Sequence, residues 1–169
     1  FEAEAQLVAR LEHPYIVPLY DYWREPGAAF LVMRLMRGGS LRSLLKEGPL
    51  SLDFILRLLN QVGSALYSAH RMGVIHRDLK PANVSLWRDA ETGEWRIQVT
   101  DFGLVPLLGD ALLTRLTAEQ QSAGITRSVA PEQCRCARIG PPADIYAFGG
   151  IAFLLLTGTV VPKPRFSLR

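Results

Sequence analysis

The segment Val74-Ile75-His76-Arg77-Asp78-Leu79-Lys80-Pro81-Ala82-Asn83 sets the terms for this 169-residue chain. An apolar pair runs into a loop that carries one carboxylate, two strong bases and an amide. In an extended loop, side chains two residues apart return to the same side, so Asp78 and Lys80 can address one point. A second acid follows in Thr100-Asp101-Phe102-Gly103, where glycine permits a sharp turn that a side chain would obstruct. Either motif alone could be a charged turn or a strand end. Their order, the strand-like patterns around them and a later Ala130-Pro131-Glu132 argue that they form one constellation.

Read as H-R-D-x-x-x-x-N, then D-F-G, then A-P-E, the chain resembles a eukaryotic-type protein kinase domain. The resemblance runs over essentially the whole chain. It implies an α+β, protein-kinase-like fold with a partial N-lobe over residues 1–33, a hinge over 34–37 and a mostly helical C-lobe over 38–169. The N-lobe part would hold the family's helix αC and its fourth and fifth strands, and the C-lobe would run as far as helix αF. The family's glycine-rich loop and strand lysine would precede Phe1, so the chain is expected to be part of a longer, multidomain parent. Expressed alone, it is expected to be inactive and poorly soluble.

The resemblance also implies roles, residue by residue. Asp78 would accept or orient the proton of the attacking hydroxyl, and Lys80 would meet the transferring phosphoryl group. Asn83 and Asp101 would offer oxygens to Mg²⁺, a hard ion that suits two protein oxygens plus substrate phosphates. The nucleotide is ATP. Met33 falls at the gatekeeper position, and Arg34-Leu35-Met36 would contact adenine through the backbone. Ser85 stands where a leucine usually floors the adenine. Glu4 matches the αC glutamate that pairs with the strand lysine. His76, Phe102, Val8 and Leu19 would stack in one column, and Asp144 would tether the His-Arg-Asp turn. Gly103 belongs to the D-F-G turn, and Glu132 closes the activation segment. Thr114, Thr117, Ser122 and Thr126 are candidate phosphosites, with Arg77 as the expected partner of such a phosphate.

Lys80-Pro81-Ala82-Asn83 resembles the serine/threonine branch, and the wording around it resembles bacterial members. The implied activity is transfer of the ATP γ-phosphate to Ser or Thr hydroxyls of a protein substrate. The alternative is a pseudokinase or regulatory nucleotide-binding module. It draws on Ser85, on the shifted threonine in Gly124-Ile125-Thr126, and on Ser128 in place of an aromatic.

Composition bounds the partners. A net charge of +3 with scattered arginines argues against a nucleic-acid partner. Cys134 and Cys136 form a C-x-C without a second ligand pair, a poor zinc signal and no disulfide framework, which fits a reducing, cytoplasmic setting. The apolar run from Ile145 to Leu156 falls short of the ~20 residues of a membrane span.

Local patterns predict the elements. Phe1 to Leu11 reads as a helix, with Phe1, Ala5, Val8 and Leu11 on one stripe. Tyr15 to Trp23 and Ala28 to Met33 read as strands. Ser40 caps a short helix through Leu45. Ser51 to Met72 is a long helix with Leu52, Ile55, Leu59, Val62, Leu66 and Ala69 on its apolar face, closed by a left-handed Gly73. Val84 to Trp87 and Trp95 to Thr100 read as a strand pair. The helix that starts near Asp144 is expected to be buried nearly all round.

Overall fold

The long helix α3, Leu52–Arg71, is the spine of the structure. In this computed structural model the described residues are 2–26, 28–89, 91–103, 129–134 and 139–162. Ser51 caps α3 by accepting a hydrogen bond from the Phe54 amide, and Asp53 in the first turn suits the positive end of the helix dipole. Gly73 follows with φ +76°, a conformation that costs glycine little. The buried face is Ile55, Leu58, Val62, Ala65, Leu66 and Ala69. Leu58 and Ala65 therefore join the predicted stripe, Leu59 is only partly buried, and Leu52 drops out of it. Leu52 is 61% exposed, at the mouth of a cavity it lines with Leu154 to Gly158 at the end of the last helix.

In chain order, α1 spans Glu2–Ala9, β1 Leu19–Glu25, β2 Ala28–Met33 and α2 Leu41–Leu44. After α3 come a 3-10 turn at Pro81–Asn83, β3 at Val84–Arg88 and β4 at Trp95–Val99. A short α4, Pro131–Cys134, precedes α5, Pro141–Thr157. The strands make two antiparallel pairs, β1 with β2 and β3 with β4. Ala5, Val8 and Leu11 are buried, as the predicted stripe on α1 requires. Ser40 forms a capping box with Ser43 at the head of α2.

Two further expectations need correction. The first strand begins at Leu19, not Tyr15. Pro18 has no amide to give to a ladder, and Tyr15 and Val17 instead bond Val99 at the end of β4. Helix α5 is not buried all round. Ala143, Asp144, Ala147, Ile151 and Leu155 are buried, but Ile145, Tyr146, Phe153 and Leu156 are exposed. Its main neighbour among the described elements is α3.

The core lies where α3, α5, β3 and β4 meet, and it reaches Val8, Leu19 and Phe102 on the other side. The β3–β4 pair is tied in from several directions. The Ile97 amide donates to Gln61 of α3, and the Leu86 amide donates to the Gly39 carbonyl. A Cβ on Gly38 would fall 2.3 Å from the Leu86 carbonyl oxygen, so only glycine lets the chain after β2 lie this close to β3.

Candidate active site

Two loops leave this buried scaffold and meet. One runs from Val74 to Asn83, between α3 and β3. The other is Thr100–Gly103, just after β4. The Thr100 amide donates to the Asn83 carbonyl at 2.9 Å, which lays the segment bearing Asp101 beside the segment bearing Asp78.

Within the first loop, Lys80 Nζ donates to Asp78 Oδ2 at 2.6 Å. Asn83 Nδ2 donates to the Asp78 carbonyl at 2.8 Å and reaches its Oδ2 at 3.3 Å. Asp78 and Lys80 are both partly open to solvent. Asn83 is buried, and its amide nitrogen is taken up by Asp78; its Oδ1 makes no hydrogen bond among the described residues. Asp101 Oδ1 accepts from the Thr100 hydroxyl at 3.2 Å. Thr100 also reaches Met33 Sδ at 3.8 Å.

The loop is held by a single buried carboxylate. Asp144, at the start of α5 and 1% exposed, accepts from the His76 and Arg77 amides, both at 2.8 Å. Its Oδ2 also meets His70 Nε2 at 2.7 Å. Burial works against the anion, but hydrogen bonds from His70, His76 and Arg77 outweigh it and hold the carboxyl below its ordinary range. Gln133 of α4 adds a second tie, donating to the Arg77 carbonyl at 2.6 Å and accepting from the Ala130 amide at 3.0 Å.

Such ties can hold unusual backbone. Arg77 has φ +68° and Asp101 φ +64°, and non-glycine residues in that region carry about 1–3 kcal/mol of strain. Arg77 precedes Asp78, and Asp101 is itself the second carboxylate of the site. Gly103, at φ +62°, lies close to Val8 and Val74. His76 is fully buried, and burial pushes its imidazole below its ordinary value, so the ring is neutral. It packs on Phe102 with ring centroids 4.7 Å apart. Phe102, Val8 and Leu19 belong to one buried cluster.

The remaining expected positions are distributed as follows. Met33 ends β2, and Arg34, Leu35 and Met36 follow it, with the Arg34 amide bonded to the Pro18 carbonyl. Ser85 lies on β3, opposite Gln98 and bridged to Ser40. Glu132 lies in α4, and Glu4 lies on α1, its side chain outside the described residues. Thr114, Thr117, Ser122 and Thr126 also lie outside the described residues, as do Gly124-Ile125, Ser128 and Cys136.

Two positioning residues had no sequence signal strong enough to single them out. His70 sits in the last turn of α3, next to the apolar Ala69, and a histidine at that border was the only hint. Gln133 had none, because its contact is with a carbonyl 56 residues away.

The donor set fits magnesium. Among the described residues no group of three or more His, Cys, Asp or Glu side chains could cage a metal. Asn83 and Asp101 offer oxygens on adjoining loops, as suits an ion that keeps waters and takes the rest of its ligands from phosphates.

Comparisons with known proteins identify the family and the fold. The protein kinase domain model matches residues 1–165. The chain belongs to the protein kinase domain family. The kinase domain is 36% identical over 159 residues to the serine/threonine-protein kinase PknL of Mycobacterium tuberculosis, covering 94% of this chain and 38% of that protein. It is 37% identical over 156 residues to PknH of Mycobacterium bovis, covering 92% of this chain and 25% of the relative. Among solved structures, the Mycobacterium tuberculosis PknI kinase domain superposes with a TM-score of 0.73 at 27% identity, over 95% of this chain and 57% of that one. The kinase domain described here therefore spans well under half the length of these curated relatives. Its fold is α+β and kinase-like. Among the described residues no helix is long and apolar enough to cross a membrane.

Proposed function

We propose that the protein transfers the γ-phosphoryl group of ATP to Ser or Thr hydroxyls of proteins. The observation that carries the reading is the meeting of Asp78, Lys80 and Asn83 with the Asp101 loop, stitched by the bond from Thr100 to Asn83. Phosphoryl transfer depends on positioning and charge neutralisation, and these residues are arranged for both. Serine/threonine kinases with up to 37% identity to this chain support the choice of acceptor.

In this reading Asp78 orients the acceptor hydroxyl and takes its proton. Lys80, already 2.6 Å from Asp78, offsets negative charge on the phosphoryl oxygens. Asn83 Oδ1 and the Asp101 carboxylate hold Mg²⁺. When bound, ATP with its metal supplies the phosphoryl group and the leaving group. Met33 lines the back of the adenine site. The backbone of Arg34, Leu35 and Met36 reads the adenine edge, and Ser85 lies beneath it. Glu4 is assigned the role of pairing with a lysine that holds the phosphates.

Residues 1–33 serve as the N-lobe part, 34–37 as hinge and 38–169 as the C-lobe part. Val8, Leu19, Phe102 and His76 form the column that links the two, with Gly103 as the turn and Glu132 and Asp144 as anchors. Arg77 Nε, buried without a partner among the described residues, is suited to a phosphate on Thr114, Thr117, Ser122 or Thr126. The parent is read as a multidomain protein acting in the cytoplasm.

The test uses the full-length protein, labelled ATP, Mg²⁺ and dephosphorylated casein. We expect label on serine or threonine, and a loss of ~10²–10⁴-fold in Asp78→Asn as the general base is removed. Full activity in that variant would overturn the assignment.

A further inference from the structure

The chain after β2 has a second side that phosphoryl transfer leaves unused. There it walls a groove of about 450 Å³ together with the end of β3 and the start of β4. Arg34, Leu35 and Met36, whose backbone is assigned to adenine, also line this groove, whereas Met33, Ser85, Asp78 and Asp101 do not.

Its charge is one-sided. Arg34, Arg37 and Arg88 line it, and no carboxylate does. Among the described residues none of the three makes an ion pair. Arg34 Nε reaches the Tyr20 hydroxyl and Arg88 Nε donates to the Gly93 carbonyl, which leaves the ends of both guanidinium groups available. Arg37 is exposed and has no hydrogen-bond partner among the described residues. Guanidinium groups match carboxylates in a two-pronged geometry, so the surface favours an acidic ligand.

Its wall carries two polar atoms without partners. Gln98 is only 4% exposed; its Nε2 donates to the Pro14 carbonyl at 2.9 Å, and its Oε1 is buried and unpaired. Trp87 Nε1 is likewise buried and unpaired. Both residues line the groove, as does Trp95. Buried polar atoms are almost always paired in folded proteins, so one donor and one acceptor orphaned in the same wall call for a partner. A peptide group supplies both complements: its carbonyl accepts from the indole N–H, and an amide N–H donates to Gln98 Oε1. Trp87 is only half-buried, and docking would require its indole to turn so that the peptide reaches both atoms.

We propose that this groove docks an extended acidic peptide segment of a partner protein. Its carboxylates lie on Arg34, Arg37 and Arg88, and a backbone peptide group lies against Trp87 and Gln98. No contact uses the nucleotide, so the inference does not rest on phosphoryl transfer.

The test is fluorescence anisotropy of a fluorescein-labelled peptide, Asp-Glu-Leu-Asp-Glu with blocked ends, titrated with the full-length protein. Saturable binding is expected. Arg37→Glu should weaken it at least ~10-fold, as should replacing the peptide's acids by their amides. Trp87→Phe removes the N–H together with the five-membered part of the ring and should weaken binding by ~3–10-fold. A saturating non-hydrolysable ATP analogue should leave the affinity unchanged. Absence of saturable binding would overturn the proposal. So would indifference to Arg37→Glu or to the amide peptide, or displacement by the nucleotide analogue. Loss of phosphoryl transfer with peptide binding intact would count against the catalytic reading and leave this one standing.

Discussion

The two antiparallel hairpins have similar lengths and very different surroundings. The β1–β2 pair shows most of its residues to solvent, including Tyr20, Trp23, Phe30 and Val32. The β3–β4 pair buries Val84, Leu86, Ile97, Gln98 and Val99, and it is bonded to α3, to the segment before α2 and to the loop after α1. The carboxylates of the site stand at the ends of the second pair: Asp78 leads into β3 and Asp101 follows β4. The proposed chemistry, which needs sub-ångström placement, would thus be mounted on the hairpin that the core immobilises.

The largest effect should come from the anchor that holds the loop entering β3. Asp144→Ala leaves the His76 and Arg77 amides and the His70 ring without their acceptor. It should cost about 3–5 kcal/mol of stability by chemical denaturation. A loss below 1 kcal/mol would mean that the buried side is not what fixes the loop.

Next comes a direct cut into β4. Ile97 is 1% exposed, and Ile97→Ala should destabilise by about 2–5 kcal/mol in the same measurement.

A pH titration sharpens the contrast further. Burial lowers the folded-state value of His76, and of His13, below 6.5. The unfolded chain therefore binds more protons below pH 6.5. Stability should be full above that pH and fall as pH drops toward the folded values, by at most about 1.4 kcal/mol per pH unit for each histidine. His76→Phe should flatten the fall between pH 6.5 and 5, as read from the melting temperature. An unchanged slope would show that His76 is not the buried neutral group described here.

The smallest effect belongs to the exposed hairpin. Trp23 stacks on Phe30 with centroids 4.9 Å apart. Trp23→Ala should cost about 0.5–1.5 kcal/mol. A loss equal to that of Ile97→Ala would erase the distinction between the two hairpins.

Much of the site was legible because its residues are neighbours in sequence. The spacing from Asp78 to Asn83 places them in one loop whatever the rest of the chain does. The three- and four-residue spacing in α3 and the left-handed Gly73 are likewise local facts, and they located the helix to within a residue at each end. The β1 start was misjudged for an equally local reason: Tyr15 to Val17 look like strand but spend their hydrogen bonds on Val99, far along the chain.

By itself, the sequence determined the family, the order of elements and the identity of the loop that carries Asp78, because short-range spacing and side-chain chemistry suffice for these. Only the tertiary structure decided that His70 and Asp144, 74 residues apart, share a hydrogen bond, that Gln133 holds Arg77, and that one face of α5 stays open. It alone also set Arg37, Trp87 and Gln98 around one groove. Such contacts depend on how separate elements pack, and a linear pattern carries no record of which distant side chains that packing brings together.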